Sequence, residues 1–225
     1  KKASDERTRF FINTAHDIRT PLTLIKAPLE EIQQKENLSE ESQANMLTAM
    51  KNVDTLLRLT TNLINFSKAN VYSSSLRISE HELNTYMEGI CHAFYSYAEA
   101  KQIKLDYKSN FEYQNVWFDK EKMDSITKNL ISNAIKYTPA HGEVHIIICH
   151  DKDNWSLEIT DTGIGIPAKE QKKLFKLHFR GSNAINAKIT GSGIGLMLVW
   201  KLVRIHKGKI SIESVENKGT RVKVI

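Results

Sequence analysis

His16 is followed by Asp17, and Thr20 and Pro21 stand about one turn further along a stretch of helical periodicity. An imidazole nitrogen can attack an electrophile, and a neighbouring carboxylate can take its proton or hold its tautomer. On a helix Thr20 lies i+4 from His16 and i+3 from Asp17, so the three share one region of surface. Pro21 removes an amide donor and its ring clashes with the carbonyl of Asp17, costing roughly 3 kcal/mol in a helix interior. This spacing predicts a bend beside an exposed histidine, which is then free to meet a second domain. Pro28, a heptad later, repeats the weakening. Most surface histidines simply face water, so this reading depends on what else the chain carries.

Three further groups of residues bear on it. Asn129, Asn133 and Lys136 follow i, i+4, i+7 spacing, so on a helix they share one face beside Tyr137. Amide oxygens are hard ligands suited to Mg²⁺, and a lysine one turn on suits a phosphate. Asp161-Thr162-Gly163-Ile164-Gly165 comes directly after a strand-like run. A carboxylate fixed there can accept from an exocyclic amine, and the glycines let a flat ring approach the backbone. Gly191-Ser192-Gly193-Ile194-Gly195 opens an apolar helix whose amides and dipole can hold phosphates. It is neither a Rossmann fingerprint, because its spacing is G-x-G-x-G after a polar loop, nor a P-loop, because no Gly-Lys-Ser/Thr occurs.

The elements that must position these groups divide the chain in two. Apolar residues at Phe11, Ala15, Ile18, Leu22, Ile25, Leu29 and Ile32 alternate spacings of 4 and 3, a heptad seam that places His16 at position b. Ser39, followed by Glu40 and Glu41, predicts the cap of a second helix with acids in its first turn. That helix carries a broad stripe through Met46 or Leu47, Met50, Val53, Leu57 and Ile64. Two helices alone leave such a stripe partly exposed, so two copies are expected to form a four-helix bundle. Tyr72 to Ser75 lacks periodicity and predicts a linker. Beyond it, helices are expected near 83–101, 120–137 and 194–205, with strands near 103–107, 144–149 and 156–160 and a closing hairpin over 209–213 and 220–225. This mixture predicts an α+β sandwich with helices on one face of a mixed sheet. The polar connection from Ile164 to Gly195 is expected to form a lid.

Composition narrows the classes. With 225 residues, 40% hydrophobic and 26% charged, the chain has room for one large or two small globular domains. Its longest apolar run, near Ile194 to Trp200, is too short to cross a bilayer, so this segment is expected to be soluble. Two unpaired-looking cysteines, Cys91 and Cys149, exclude a disulfide framework and suit a reducing compartment. The net charge of +6 comes mostly from residues beyond 75, without a basic block interleaved with aromatics. A nucleic-acid interface is therefore not expected, whereas a local anionic ligand is.

Taken in order, the boxes are what identify the chain. His16-Asp17-Ile18-Arg19-Thr20-Pro21-Leu22 resembles the phosphoacceptor box of bacterial two-component sensor histidine kinases, and Asn129 to Tyr137 resembles their asparagine box. The two glycine segments resemble their glycine boxes, and Phe175 to Arg180 is similar to the phenylalanine box between them. The resemblance implies a dimerisation and phosphotransfer hairpin over 1–70, a linker over 71–76 and a Bergerat-type ATP-binding domain over 77–225. It further implies that ATP phosphorylates His16 with Asp17 as base, and that the phosphoryl group passes to an aspartate of a response-regulator receiver, in a separate protein or in the same full-length chain. Thr20 would help place a water for hydrolysis of the receiver's aspartyl phosphate, a separate phosphatase activity. Asn133, assisted by Asn129, would bind Mg²⁺; Lys136 would contact phosphate; Tyr137 would line the pocket; Asp161 would accept from the adenine amine. Gly163, Gly165, Gly191, Gly193 and Gly195 would shape pocket and lid, Arg180 would reach the γ-phosphate, and Thr220 would assist adenine binding.

Two departures stand out: Asp17 replaces the commoner Glu, and Leu177-His178 replaces a proline and a second aromatic. The chain opens inside a helix, which suggests the cytoplasmic portion of a longer, membrane-anchored receptor, similar in its boxes to hybrid sensors. The rival readings are an ATP-binding dimeric scaffold and a non-kinase ATPase of the same superfamily. The ATPase leaves the His16 helix unexplained, and the scaffold would be favoured by loss of His16, Asn133 or Asp161, all of which are present.

Overall fold

The computed structural model describes residues 2–35, 38–71, 76–151, 154–176, 179, 181–187, 189 and 193–225. The chain divides into two compact units, Lys1–Ser74 and Ser75–Ile225. The linker residues Tyr72 to Ser75 lie outside the described residues.

The first unit is a helical hairpin of α1 (Lys2–Lys35) and α2 (Glu40–Val71). The Ser39 hydroxyl accepts from the Ser42 amide at 3.3 Å, and Glu40 and Glu41 occupy the first turn, as the capping pattern predicts. Arg19 donates to Thr61 Oγ1 at 2.6 Å and Lys26 pairs with Asp54 at 2.8 Å. Seven residues up α1 thus match seven down α2, which defines an antiparallel register. Ala15 and Leu22 of α1 and Val53 and Thr60 of α2 are buried in this seam. On α2 the inward row begins at Met46, whereas Leu47 is 61% exposed. Helix α1 continues through Pro21 and Pro28, so the missing donors weaken the helix without ending it. The alternate seam positions Ile18 and Ile25 remain 42% and 48% exposed.

The second unit is an α+β sandwich. Strands β1 (Ile78–Glu82), β2 (Lys104–Ser109), β3 (Asn115–Asp119), β4 (Glu143–Asp151), β5 (Asn154–Asp161), β6 (Ile210–Val215) and β7 (Gly219–Val224) alternate with helices α3 (Leu83–Ala100), α4 (Lys120–Tyr137) and α7 (Gly195–Ile205). Two short helices, α5 (Ala168–Gln171) and α6 (Ser182–Asn186), lie within the polar connection between β5 and α7. The main sheet runs β2-β4-β5-β7-β6, with β2 and β4 parallel and the remaining pairs antiparallel. Alternate residues Val144, Ile146, Ile148, Leu157 and Ile159 are buried, giving the sheet one apolar face for the helices to cover. Its other face carries charge, including Arg221 paired with Glu158 at 2.7 Å. Strands β1 and β3 form a separate antiparallel pair that periodicity does not reveal. Ile-Ser-Glu-His-Glu has one apolar residue and is a strand only because Val116, Trp117 and Phe118 stand opposite it.

Candidate functional site

Helix α4 begins at Asp119, whose carboxylate accepts from the Lys122 amide, and buries Met123, Ile126, Leu130, Ile131, Ala134 and Ile135. That stripe turns Asn129, Asn133 and Lys136 to the helix flank, where each is only partly buried. Asn129 Nδ2 donates to Ser125 O at 2.7 Å, and its Oδ1 accepts nothing from the described residues. A Cβ on Gly195, at the start of α7, would lie 2.8 Å from that oxygen and 4.0 Å from Asn133 Nδ2. A side chain at the start of α7 would therefore push the Asn129 carboxamide aside while leaving Asn133 in ordinary contact. Asn133 itself makes no side-chain hydrogen bond among the described residues. A half-buried amide without a partner among the described residues, beside a second amide oxygen that is likewise uncommitted, is a donor set that fits a hard cation such as Mg²⁺. Among the described residues no cluster of His, Cys, Asp and Glu could hold a metal by itself. The remaining ligands of such an ion would then come from its anionic substrate and water. Helix α7 has no side-chain cap at Ile194 among the described residues, and the amides of a helix N-terminus are suited to an anion.

At the far end of α4 lies the second cluster. Asp161 ends β5, opposite Val144 on one neighbour and Thr220 on the other, and is 8% exposed. Its Oδ1 accepts from the Gly163 amide at 2.9 Å and the Thr220 amide at 3.2 Å, while Oδ2 accepts nothing from the described residues. Burial pushes the carboxyl up to about 6, against the opposing pull of those two amides. The geometry leaves one carboxylate oxygen, desolvated and oriented, for an incoming amine.

Backbone packing holds the glycine turn against this carboxylate. The Ile164 amide donates to Tyr137 O at 3.1 Å, and a Cβ on Gly163 would lie 2.5 Å from that same oxygen. Gly165 has φ +61°, and a Cβ there would meet Val215 O at 2.0 Å. Gly193 also has a left-handed φ, +68°, as its place in a glycine box suggests. Lys136 donates to the Tyr137 hydroxyl at 3.1 Å and sits 4.5 Å from its ring centroid, so the two side chains form one wall. The Thr220 hydroxyl meets Ser214 Oγ at 2.9 Å.

Asp161, Gly163, Tyr137 and Thr220 are thus brought together, as are Asn129, Asn133 and Gly195, and α4 contributes to both sets, through Tyr137 to the first and the two asparagines to the second. Arg180 and Gly191 lie outside the described residues, as do Leu177, His178 and Ser192. In the helical unit, the backbones of His16 and Asp17 belong to α1, but their side chains lie outside what the structure describes. Thr20, on the same helix, is exposed.

Two contributors escape motif reading. Asn183 of α6 donates to Ile164 O at 3.3 Å and Gly165 O at 2.9 Å, tying the connection to the glycine turn. Nothing in its spacing marks it. Gly219 has φ +119°, and a Cβ there would lie 1.9 Å from Asp161 O; its signals in the sequence are a turn-forming Asn-Lys-Gly and its place in the Gly219-Thr220 tail that fits the family, neither of which foretells this contact. Gly219→Ala is expected to destabilise the second unit by about 2–3 kcal/mol and displace the Thr220 amide from Asp161. Thermal unfolding checks this, and an unchanged Tm would contradict it.

Comparison with known proteins places these features. Residues 6–70 match the His Kinase A (phospho-acceptor) domain family, and residues 118–225 match the histidine kinase-, DNA gyrase B- and HSP90-like ATPase family. The chain is 29% identical over its whole length to histidine kinase P4 of Formosa agariphila, of which it covers 17%. It is 28% identical over 99% of its length to sensor histidine kinase WalK of Bacillus subtilis, of which it covers 37%. The chain therefore spans well under half of either relative. Among solved structures it is similar in fold to full-length ShkA in complex with AMPPNP, with a TM-score of 0.78 at 18% identity, covering 96% of this chain and 45% of that one. It is also similar to Acinetobacter baumannii histidine kinase AdeS, with a TM-score of 0.62 at 23% identity, covering 93% and 96% of the two chains.

Proposed function

Because the chain belongs to the sensor histidine kinases, with a phosphoacceptor domain followed by an ATPase domain, we propose that it transfers the γ-phosphoryl group of ATP to His16 and then to a receiver aspartate. The observation that carries the nucleotide assignment is Asp161, a buried carboxylate with one oxygen uncommitted beside a glycine turn.

In this reading Asp161 accepts from the adenine amine, and Thr220 supports the same edge. Gly163 and Gly165 leave the backbone open to the ring, and Tyr137 lines the pocket. Lys136, the amides at the start of α7 and Arg180 hold phosphate oxygens, while Gly191, Gly193 and Gly195 let the lid approach them. Asn133 and Asn129 would hold Mg²⁺, which supplies charge neutralisation of the phosphates. The His16 imidazole forms an N–P bond as the bond between the γ-phosphorus and its bridging oxygen breaks. ADP leaves, and Asp17 takes the ring proton. In a separate phosphatase activity Thr20 positions a water that attacks the receiver's aspartyl phosphate, releasing inorganic phosphate and the aspartate carboxylate.

The partners follow from the same hairpin. Ile18, Ile25, Leu47 and Leu56, each at least 42% exposed in a single copy, supply the apolar surface for a homodimeric four-helix bundle. Among the described residues no helix is long and apolar enough to cross a membrane. The proposed setting is the cytoplasmic portion of a membrane-anchored receptor whose receiver lies in the same or a separate chain.

Incubation with Mg²⁺ and γ-labelled ATP tests the proposal. An acid-labile, base-stable label is the expected result. Bound ATP without label would turn the reading toward a scaffold or phosphatase, and an acid-stable label would exclude phosphohistidine.

A further inference from the structure

Two cations on α1 reach across to α2 from equivalent heptad positions and meet different chemistry. Lys26 lies 2.8 Å from Asp54 and 3.4 Å from Glu30, so two carboxylates answer its charge. Arg19, one heptad earlier, donates through Nη2 to Thr61 Oγ1, one heptad after Asp54, at 2.6 Å. A hydroxyl therefore stands where a carboxylate completes the other pair. Thr61 Oγ1 itself donates to Leu57 O at 2.8 Å, so its proton is committed to the backbone and it offers the guanidinium only a lone pair. The other N–H donors of Arg19 have no partner among the described residues.

The sequence keeps acids away from this bond. No Asp or Glu stands three or four residues from either Arg19 or Thr61. Asp17 is at i−2 from Arg19, a spacing at which helical residues do not face each other, whereas His16 is at i−3, a spacing at which they do. With about 3.6 residues per turn, Arg19 lies about 60° around α1 from His16. It lies on the side toward the buried Ala15 and Leu22. The result is a half-buried guanidinium one turn from His16, held by a neutral partner.

We propose that Arg19 binds the phosphoryl group once it is on His16, its guanidinium leaving Thr61 to donate to the phosphoryl oxygens. This rests on His16 being the phosphoacceptor. Phosphorylation adds roughly two negative charges at i−3 from a cation without a charged partner. Charge-assisted hydrogen bonds are stronger than those to a neutral hydroxyl, and the guanidinium fork matches two phosphoryl oxygens at once. Thr61 is thus a resting partner weak enough to release the arginine, where a carboxylate would compete with the phosphoryl group.

The equilibrium of the reversible reaction tests this, because it does not depend on how fast either direction runs. The chain is incubated with Mg²⁺ and mixtures of ADP and γ-labelled ATP, starting from unlabelled and from labelled protein. The ADP-to-ATP ratio that leaves half of the chain labelled is the readout. Arg19→Gln should lower that ratio about tenfold. Arg19→Lys, which keeps the charge without the fork, should fall between the two. Thr61→Val removes the resting partner and should raise the ratio about threefold. Opposite effects from the two ends of one hydrogen bond identify an exchange of partners. A ratio lowered by both substitutions would make the bond a structural latch and overturn the proposal. So would a ratio unchanged by Arg19→Gln or by Thr61→Val. Failure of the kinase reading looks different: the parent chain then takes no acid-labile label and this inference falls with it, whereas failure of this inference alone leaves the parent's label intact.

Discussion

Replacing His16 by glutamine is expected to abolish acid-labile phosphorylation while leaving nucleotide affinity within about twofold of the parent protein. The first effect is all or none because an amide nitrogen, its lone pair delocalised into the carbonyl, cannot replace an imidazole nitrogen as nucleophile. The second follows from the division of the chain: α1 belongs to one compact unit, and Asp161, Asn129 and Asn133 belong to the other. Glutamine is also a good helix former, so α1 and its register with α2 are retained. Calorimetric titration of ATP beside the labelling assay checks both halves. Residual acid-labile label on the variant would move the phosphoacceptor to another histidine, and lost ATP affinity would mean that the substitution disturbs more than chemistry.

Asp161→Asn is expected to weaken adenine nucleotide binding by about 100-fold. The carboxylate's uncommitted oxygen would be replaced by an NH₂ that faces the incoming amine, so a charge-assisted hydrogen bond becomes two opposed donors. The parent's affinity should also depend on pH. With the free carboxyl near 6, acidification below that value protonates it, and affinity should fall toward tenfold per unit. Stability runs the other way. The folded carboxyl titrates near 6 and the unfolded one near 3.8, so the native state binds the proton more tightly. This group's contribution is fully present below about pH 4 and is lost as pH rises through 6. Above that window a buried charge opposes folding by about 3 kcal/mol. Asp161→Asn removes that charge, so the unliganded variant should melt higher at pH 7 while binding nucleotide poorly. Melting curves from pH 4 to 8 would show this, and equal pH slopes for both proteins would refute the assignment.

These two residues differ in how legible they were. His16 is readable from Asp17, Thr20 and Pro21 around it once the asparagine and glycine boxes further along the chain are taken with them. Asp161 is readable as a position, a carboxylate before glycines at a strand end, but not as an acid. Its environment depends on the amide of Thr220, 59 residues away, and on burial by the whole sheet. The same distinction separates the glycines. Gly163 and Gly165 stand in a recognisable box, whereas Gly219 is required by a carbonyl that approaches from another strand.

The sequence by itself determined the helical hairpin, the alternating α+β texture, the cap at Ser39 and the order of the boxes, because periodicity, capping and turn chemistry act between near neighbours. Only the tertiary structure decided that Met46 rather than Leu47 faces α1, that β1 exists as the partner of β3, and that Asn183 clamps the glycine turn. It likewise decided the charge behaviour of Asp161 and the pairing of Arg19 with Thr61. Each of these depends on contacts between residues distant in the chain, and no local pattern encodes which distant surface will arrive.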